Sequence, residues 1–166
     1  MKKIVQLSSQ TQTNELKLAV AIYWDFENVT IPNQAKCLID FAQSRGNVVI
    51  QKVYSHWWRE TWTSRCELYR YGFEQIDVLE EGKNSADRQL KYDCIKGLFT
   101  QLSPDIIILV SGDKGFAPLV DVLQDKGKRV IVFGRQGVTS RKLKKLANEF
   151  YFAEQLCQLV ANRQIV

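Results

Sequence analysis

The sequence predicts a three-layer α/β fold, a central, mainly parallel sheet of about five strands flanked by helices. Short apolar runs alternate along the chain with segments of helical periodicity, the pattern of strand–helix–strand units. The most apolar runs show no in–out alternation, as strands covered on both faces should not. At 166 residues and 45% hydrophobic, the chain can bury the core of one ordinary domain without a disulfide or metal staple.

Residues 1–17, rich in Ser, Thr and Gln, read as a flexible lead-in, and 18–166 as a single domain. The first strand is Ala19-Val20-Ala21-Ile22-Tyr23-Trp24, ending at Asp25. Pro32-Asn33 opens a helix through Phe41 and Ala42, which Gly46-Asn47 stops. Val48 to Tyr54 is the second strand. Thr61 to Tyr71 reads as a helix closed by Gly72, and Phe73 to Leu79 as a weaker strand. Ser85 to Leu102 reads as a long helix, with Leu90, Cys94 and Leu98 on its apolar face and Ile95 and Phe99 beside it. Pro104 breaks the chain before Ile106–Val110, the most continuous apolar strand. Phe116 to Lys126 is helical with Gly127 as its cap, and Arg129 to Phe133 is the fifth strand. The tail is helical, with a short strand candidate at Phe150-Tyr151-Phe152.

Composition narrows the classes. Net charge is +5 and the isoelectric point about 9.0, a balance that suits polyanionic partners and equally a solvated surface. Cys37, Cys66, Cys94 and Cys157 form no CxxC pair, and His56 is the only histidine, so a zinc-finger reading fails. Scattered cysteines suggest reduced thiols and a cytoplasmic protein. No apolar stretch approaches the ~20 residues of a membrane span, and Ile4–Leu7 is too short for a signal-peptide core.

Ligands of open α/β sheets bind outside the carboxyl ends of the strands. Asp25-Phe26-Glu27-Asn28 follows the first strand and Ser111-Gly112-Asp113 the fourth. Both strands are apolar enough for the sheet centre, which places Asp25 and Asp113 close together. Asp87, in the first turn of the helix leading into the fourth strand, reaches the same edge. Three converging carboxylates share protons or gather a cation. Their hard oxygens suit Mg²⁺ or Mn²⁺, which would hold a phosphate and activate water for phosphodiester hydrolysis. With His56 the only imidazole, a histidine acid/base pair looks absent. Taken singly, each aspartate has an ordinary alternative: a helix cap for Asp87, turn residues for Asp25 and Asp113.

Three motifs in order resemble the NYN domains, a branch of the PIN-like ribonucleases, and especially their limkain-type branch. They are Tyr23-Trp24-Asp25-Phe26-Glu27-Asn28-Val29, Lys83-Asn84-Ser85-Ala86-Asp87, and Leu109-Val110-Ser111-Gly112-Asp113 running on to Leu119. Lys126-Gly127-Lys128-Arg129-Val130 follows at the expected distance, and together they cover roughly residues 19–150. The resemblance implies a PIN-like, Rossmann-like fold and Mg²⁺- or Mn²⁺-dependent RNA cleavage. Asp25, Asp87 and Asp113 would be catalytic metal ligands, with Asn28, Glu27 and Ser111 in support. Asp93 falls where relatives carry an acid, but six residues beyond Asp87 it faces away on an ideal helix and reads as structural. One departure stands out: the second acid of the family's Ser-Gly-Asp-x-Asp-Phe box is Gly115 here, with Lys114 beside it. That leaves either a weakened site on three aspartates or a module that binds RNA without cutting it.

For RNA contact, His56-Trp57-Trp58-Arg59, with Trp62 and Arg65, offers aromatics interleaved with cations, as single strands require. The alternative is that this cluster packs a helix onto the sheet. Arg135, Arg141 and Lys142, with Lys144 and Lys145, could track a phosphate backbone or form a solvated helix face. Lys83 and Lys114 add cations beside the aspartates. A haloacid-dehalogenase-type phosphatase is weakly mimicked by Asp25-x-Glu27-x-Val29 and Gly112-Asp113, but its second metal-box acid and cap insertion are missing. A response-regulator receiver lacks its acidic pair and phosphoacceptor. Leu156, Leu159, Val160 and Ile165 could form a homodimer face.

Overall fold

Five consecutive apolar residues, Ile106–Val110, are all buried, so their strand must be covered on both faces. The computed structural model, which describes residues 17–79, 82 and 84–163, shows how. Strands β1 (Ala19–Asp25), β2 (Asn47–Ser55), β3 (Glu74–Asp77), β4 (Ile106–Val110), β5 (Arg129–Gly134) and β6 (Glu149–Phe152) form one sheet in the order β3-β2-β1-β4-β5-β6. Every pairing is parallel. Between and after them run helices α1 (Ala35–Gln43), α2 (Trp62–Arg70), α3 (Ser85–Gly97), α4 (Ala117–Asp125), α5 (Arg141–Leu146) and α6 (Leu156–Arg163).

Successive side chains of β1 point to opposite faces, and each face has its own core. Val20, Ile22 and Trp24 pack with Leu38 and Phe41 of α1, Leu68 of α2 and Leu156 of α6. Ala21 and Tyr23 pack with Leu90 and Cys94 of α3, Val120 and Leu123 of α4 and Leu143 of α5. The expected three-layer fold is therefore present, with helices on both faces of the sheet. Chain order reverses between β1 and β4, where one half of the sheet grows through β2 and β3 and the other through β5 and β6.

The structure departs from expectation in four places. The sheet has six strands rather than about five, because Glu149–Phe152 pairs with Ile131–Gly134 and closes the edge. The long helix stops at Gly97, not Leu102. Leu98, Phe99 and Thr100 turn to tighter bonds on Ile95, Lys96 and Gly97, and the Thr100 hydroxyl takes the Gly97 carbonyl. Phe99 is consequently exposed rather than part of the apolar face. The proposed homodimer face is mostly internal: Leu156 is in the core and Leu159 and Val160 pack against it, while Ile165 lies outside the described residues. Finally, Cys37 of α1 and Cys157 of α6 form a disulfide across 5.1 Å between Cα atoms, and only Cys66 and Cys94 are free thiols. A separation of 120 residues hid that pairing from any spacing argument. Most of the expected lead-in, residues 1–16, lies outside the described residues. Among the described residues no helix is long and apolar enough to cross a membrane.

The staple has a measurable consequence. Cys157→Ser should lower unfolding stability by about 2–4 kcal/mol in urea titrations, the usual effect of opening a long disulfide loop. Denatured, unreduced wild type should expose only the thiols of Cys66 and Cys94 to a thiol reagent, and all four cysteines after reduction.

Candidate active site

Strand register decides which residues meet at the carboxyl edge. Trp24 is level with Val110, so Asp25 and Ser111 leave the sheet side by side. Asp25 is also level with Tyr54, which brings His56 next to Glu27. The turn after β1 is fixed from within. The Val29 amide bonds to the Asp25 carbonyl (3.1 Å), and the buried Trp24 indole donates to the Val29 carbonyl (2.8 Å).

Asp25 is only 3% exposed. Its Oδ2 accepts the Ser111 hydroxyl at 3.0 Å, and Ser111 Oγ in turn accepts the Asp113 amide at 3.3 Å. Asn28 Oδ1 accepts the Gly112 amide at 2.8 Å, tying the β1 loop to the β4 loop. Gly112 has no room for a side chain, since a Cβ would stand 2.6 Å from Thr139 Oγ1. Asp113 opens the 3₁₀ turn Lys114–Phe116 by accepting the Gly115 amide on Oδ1 at 2.6 Å. It thus makes the turn contact of its ordinary alternative. Asp87 enters from the first turn of α3, after Asn84 in the left-handed region at φ 72°, a conformation Asn tolerates.

Asp25, Asp87 and Asp113 line one polar cleft of about 500 Å³ with Glu27, Asn28, His56 and Arg59. The field there is hostile to negative charge. Burial, then the charge of Asp87, pushes the Asp25 carboxyl up to about 7, against the opposing bonds from Ser111 and the Asn28 amide. Burial, then Asp113, raises Asp87, while Lys91 pulls the other way. Glu27 behaves oppositely: burial disfavours its charge, but the hydrogen bonds from the His56 ring and amide outweigh that and lower it.

The sequence, with His56 its only imidazole, offers no evident histidine acid/base pair, and the structure sets that imidazole against Glu27. His56 is buried, with Nδ1 on Glu27 Oε1 and Nε2 3.3 Å from the Ser85 hydroxyl. Its signal lay only in the β1–β2 register. Arg59, a candidate RNA contact, lines the cleft, its guanidinium 4.6 Å over the Trp58 ring. Trp58 is 72% exposed. Trp57 is a correction: it is buried, packs on Phe26 and donates its indole N–H to the Ile76 carbonyl at 2.9 Å, so it offers no face for a base. Lys114, Arg135, Arg141 and Lys142 are exposed and do not line the cleft, and Lys83 lies outside the described residues. Asp93 is outside the cleft, accepting the Tyr54 hydroxyl at 2.9 Å beside Lys52.

A parallel sheet flanked by helices, with acidic loops at its switch point, is consistent with a PIN-like fold. Residues 19–156 match the NYN domain model, and the chain belongs to that family. A solved structure of a protein of unknown function from Vibrio parahaemolyticus is similar, with 25% identity and a TM-score of 0.70. The match covers 83% of this chain and 94% of that one. No curated protein matches.

Folding raises the Asp25 carboxyl from an ordinary 3.8 to about 7. The metal-free fold should therefore lose stability as pH rises from about 4 through 7, because the unfolded chain ionises first. Asp25→Asn removes that penalty. In EDTA it should unfold at higher urea than wild type at pH 8, by up to about 4 kcal/mol, and the difference should vanish near pH 4.

Proposed function

We propose that this NYN domain is a ribonuclease that hydrolyses RNA phosphodiester bonds with a divalent ion, Mg²⁺ or Mn²⁺, held by Asp25, Asp87 and Asp113. The observation that carries this reading is the convergence of the three carboxylates in one polar cleft at the switch point of the sheet. Burial and mutual repulsion raise two of them, a balance that a cation relieves. All the donors are hard oxygens, which fit these ions. Among the described residues no three acidic, His or Cys side chains stand ready-made around one point, so binding requires the carboxylates to draw inward.

A bound ion would neutralise charge on the phosphate and make an attacking water more acidic. The chain's own residues prepare the place. Ser111 orients Asp25, and Asn28 holds the Ser-Gly-Asp loop against the β1 loop. Glu27 fixes the His56 ring at the cleft wall. Arg59 offers a bidentate donor to a phosphate. Trp58 offers a stacking face for a base of single-stranded RNA, and the exposed Lys114, Arg135, Arg141 and Lys142 suit its backbone.

Gly115 favours a second reading, an RNA-binding module without catalysis, because it removes one carboxylate from the family's box. Cleavage of a labelled single-stranded RNA with Mn²⁺, Mg²⁺ or EDTA separates the two. The nuclease reading expects cutting that needs the ion and falls at least about a hundredfold in Asp25→Asn and Asp113→Asn. Binding with intact RNA under every ion condition would establish the module instead. Trp58→Ala should weaken RNA binding about tenfold in a filter-binding titration while leaving the melting temperature unchanged.

A further inference from the structure

Lys91 follows Asp87 by four residues on α3, so both side chains rise from one face of the helix. It is half-buried, and its ammonium sits 5.0 Å over the Phe116 ring. It makes no hydrogen bond or ion pair with a described residue. Its positive charge acts on Asp87 against the negative charges of Asp113 and Glu27. A half-buried ammonium with no hydrogen-bonded anion keeps its donors for one that arrives. The aromatic face of Phe116 offsets part of that penalty and fixes where the charge stands.

Gly115 explains why there is room. A Cβ at that position would lie 3.6 Å from Lys91 Nζ and 3.0 Å from Asp113 Oδ1. The ammonium and the Asp113 carboxylate therefore flank the space that a side chain at 115 would enter. An acid there would pair with Lys91 and neutralise it. Glycine leaves the ammonium available beside Asp87 and Asp113.

We infer that Lys91 is a phosphate ligand at the margin of the cleft, its ammonium binding a non-bridging oxygen of the RNA backbone next to Asp87 and Asp113, with Gly115 leaving the space beside it open. This rests on the ribonuclease reading for the identity of the anion. It assigns Lys91 a contact with substrate beside two of the cleft's aspartates.

The test is the salt dependence of single-stranded RNA binding in Ca²⁺, read by fluorescence anisotropy, which needs no chemistry. Each phosphate contact on a single strand contributes about 0.7 to the slope of log K against log salt. Lys91→Ala should lose about that much slope, and Gly115→Asp should lose the same by pairing the ammonium. Lys91→Arg should keep the slope. Lys96→Ala, which removes a charge from α3 away from the cleft, should leave it unchanged. Thermal melts monitored by circular dichroism confirm that each variant is folded. Equal slopes in wild type and folded Lys91→Ala overturn the inference while leaving the nuclease reading intact. Lost slope in Lys91→Ala, with no cutting by wild type in Mn²⁺ or Mg²⁺, supports Lys91 and removes the nuclease reading. Absence of salt-dependent RNA binding by wild type overturns both.

Discussion

The carboxylate of Asp25 is the constraint around which the rest is arranged. It lies 3% exposed at the junction of the two central strands, where water contributes little to holding its charge. Such a group is tolerable only where neighbours bond it or a cation meets it. Ser111 supplies one bond, from the end of the adjacent strand. That bond exists because Trp24 and Val110 are in register, which in turn depends on β1 and β4 being neighbours across the switch point. A slip of one residue would turn both loops to the wrong faces and dissolve the cleft.

Rigidity comes from the two cores. Each central strand is buried on both sides, so the loops leave fixed platforms rather than mobile ones. The Trp24 indole turns that packing into loop geometry, because its ring is fully buried while its N–H holds the Val29 carbonyl. On the same face the α1–α6 disulfide ties the last helix to the first. Arg45 braces the edge strand through Glu149, which Arg129 also contacts, so the far side of the sheet is pinned by an ion-pair network.

Charge within the cleft is distributed rather than uniform. Two aspartates are raised and Glu27 is lowered, because Glu27 alone has an imidazole partner. Arg59 and Lys91 are both held by aromatic rings, Trp58 and Phe116, rather than by carboxylates. Cations kept in place by aromatic faces retain their charge for an incoming anion, whereas cations paired with the aspartates would not. This is the physical basis on which the loss of an acid at Gly115 is compatible with a working site on the proposed reading.

The sequence by itself determined the layers and the edge of the site. Apolar strands without alternation can only be central, and residues following central parallel strands can only lie at one edge, so Asp25, Asp87 and Asp113 were legible as neighbours. The resemblance to the family rested on three different motifs in order, one around each of Asp25, Asp87 and Asp113. What the sequence left open depended on contacts between distant segments. The indole of Trp57 turning inward while that of Trp58 turns outward follows from packing against Phe26 and Ile76, not from composition. The Cys37–Cys157 bond, the Glu27–His56 pair and the place of Lys91 beside Gly115 depend on register and helix docking. Local pattern fixes which face a residue takes, and only the assembled sheet fixes what it meets there.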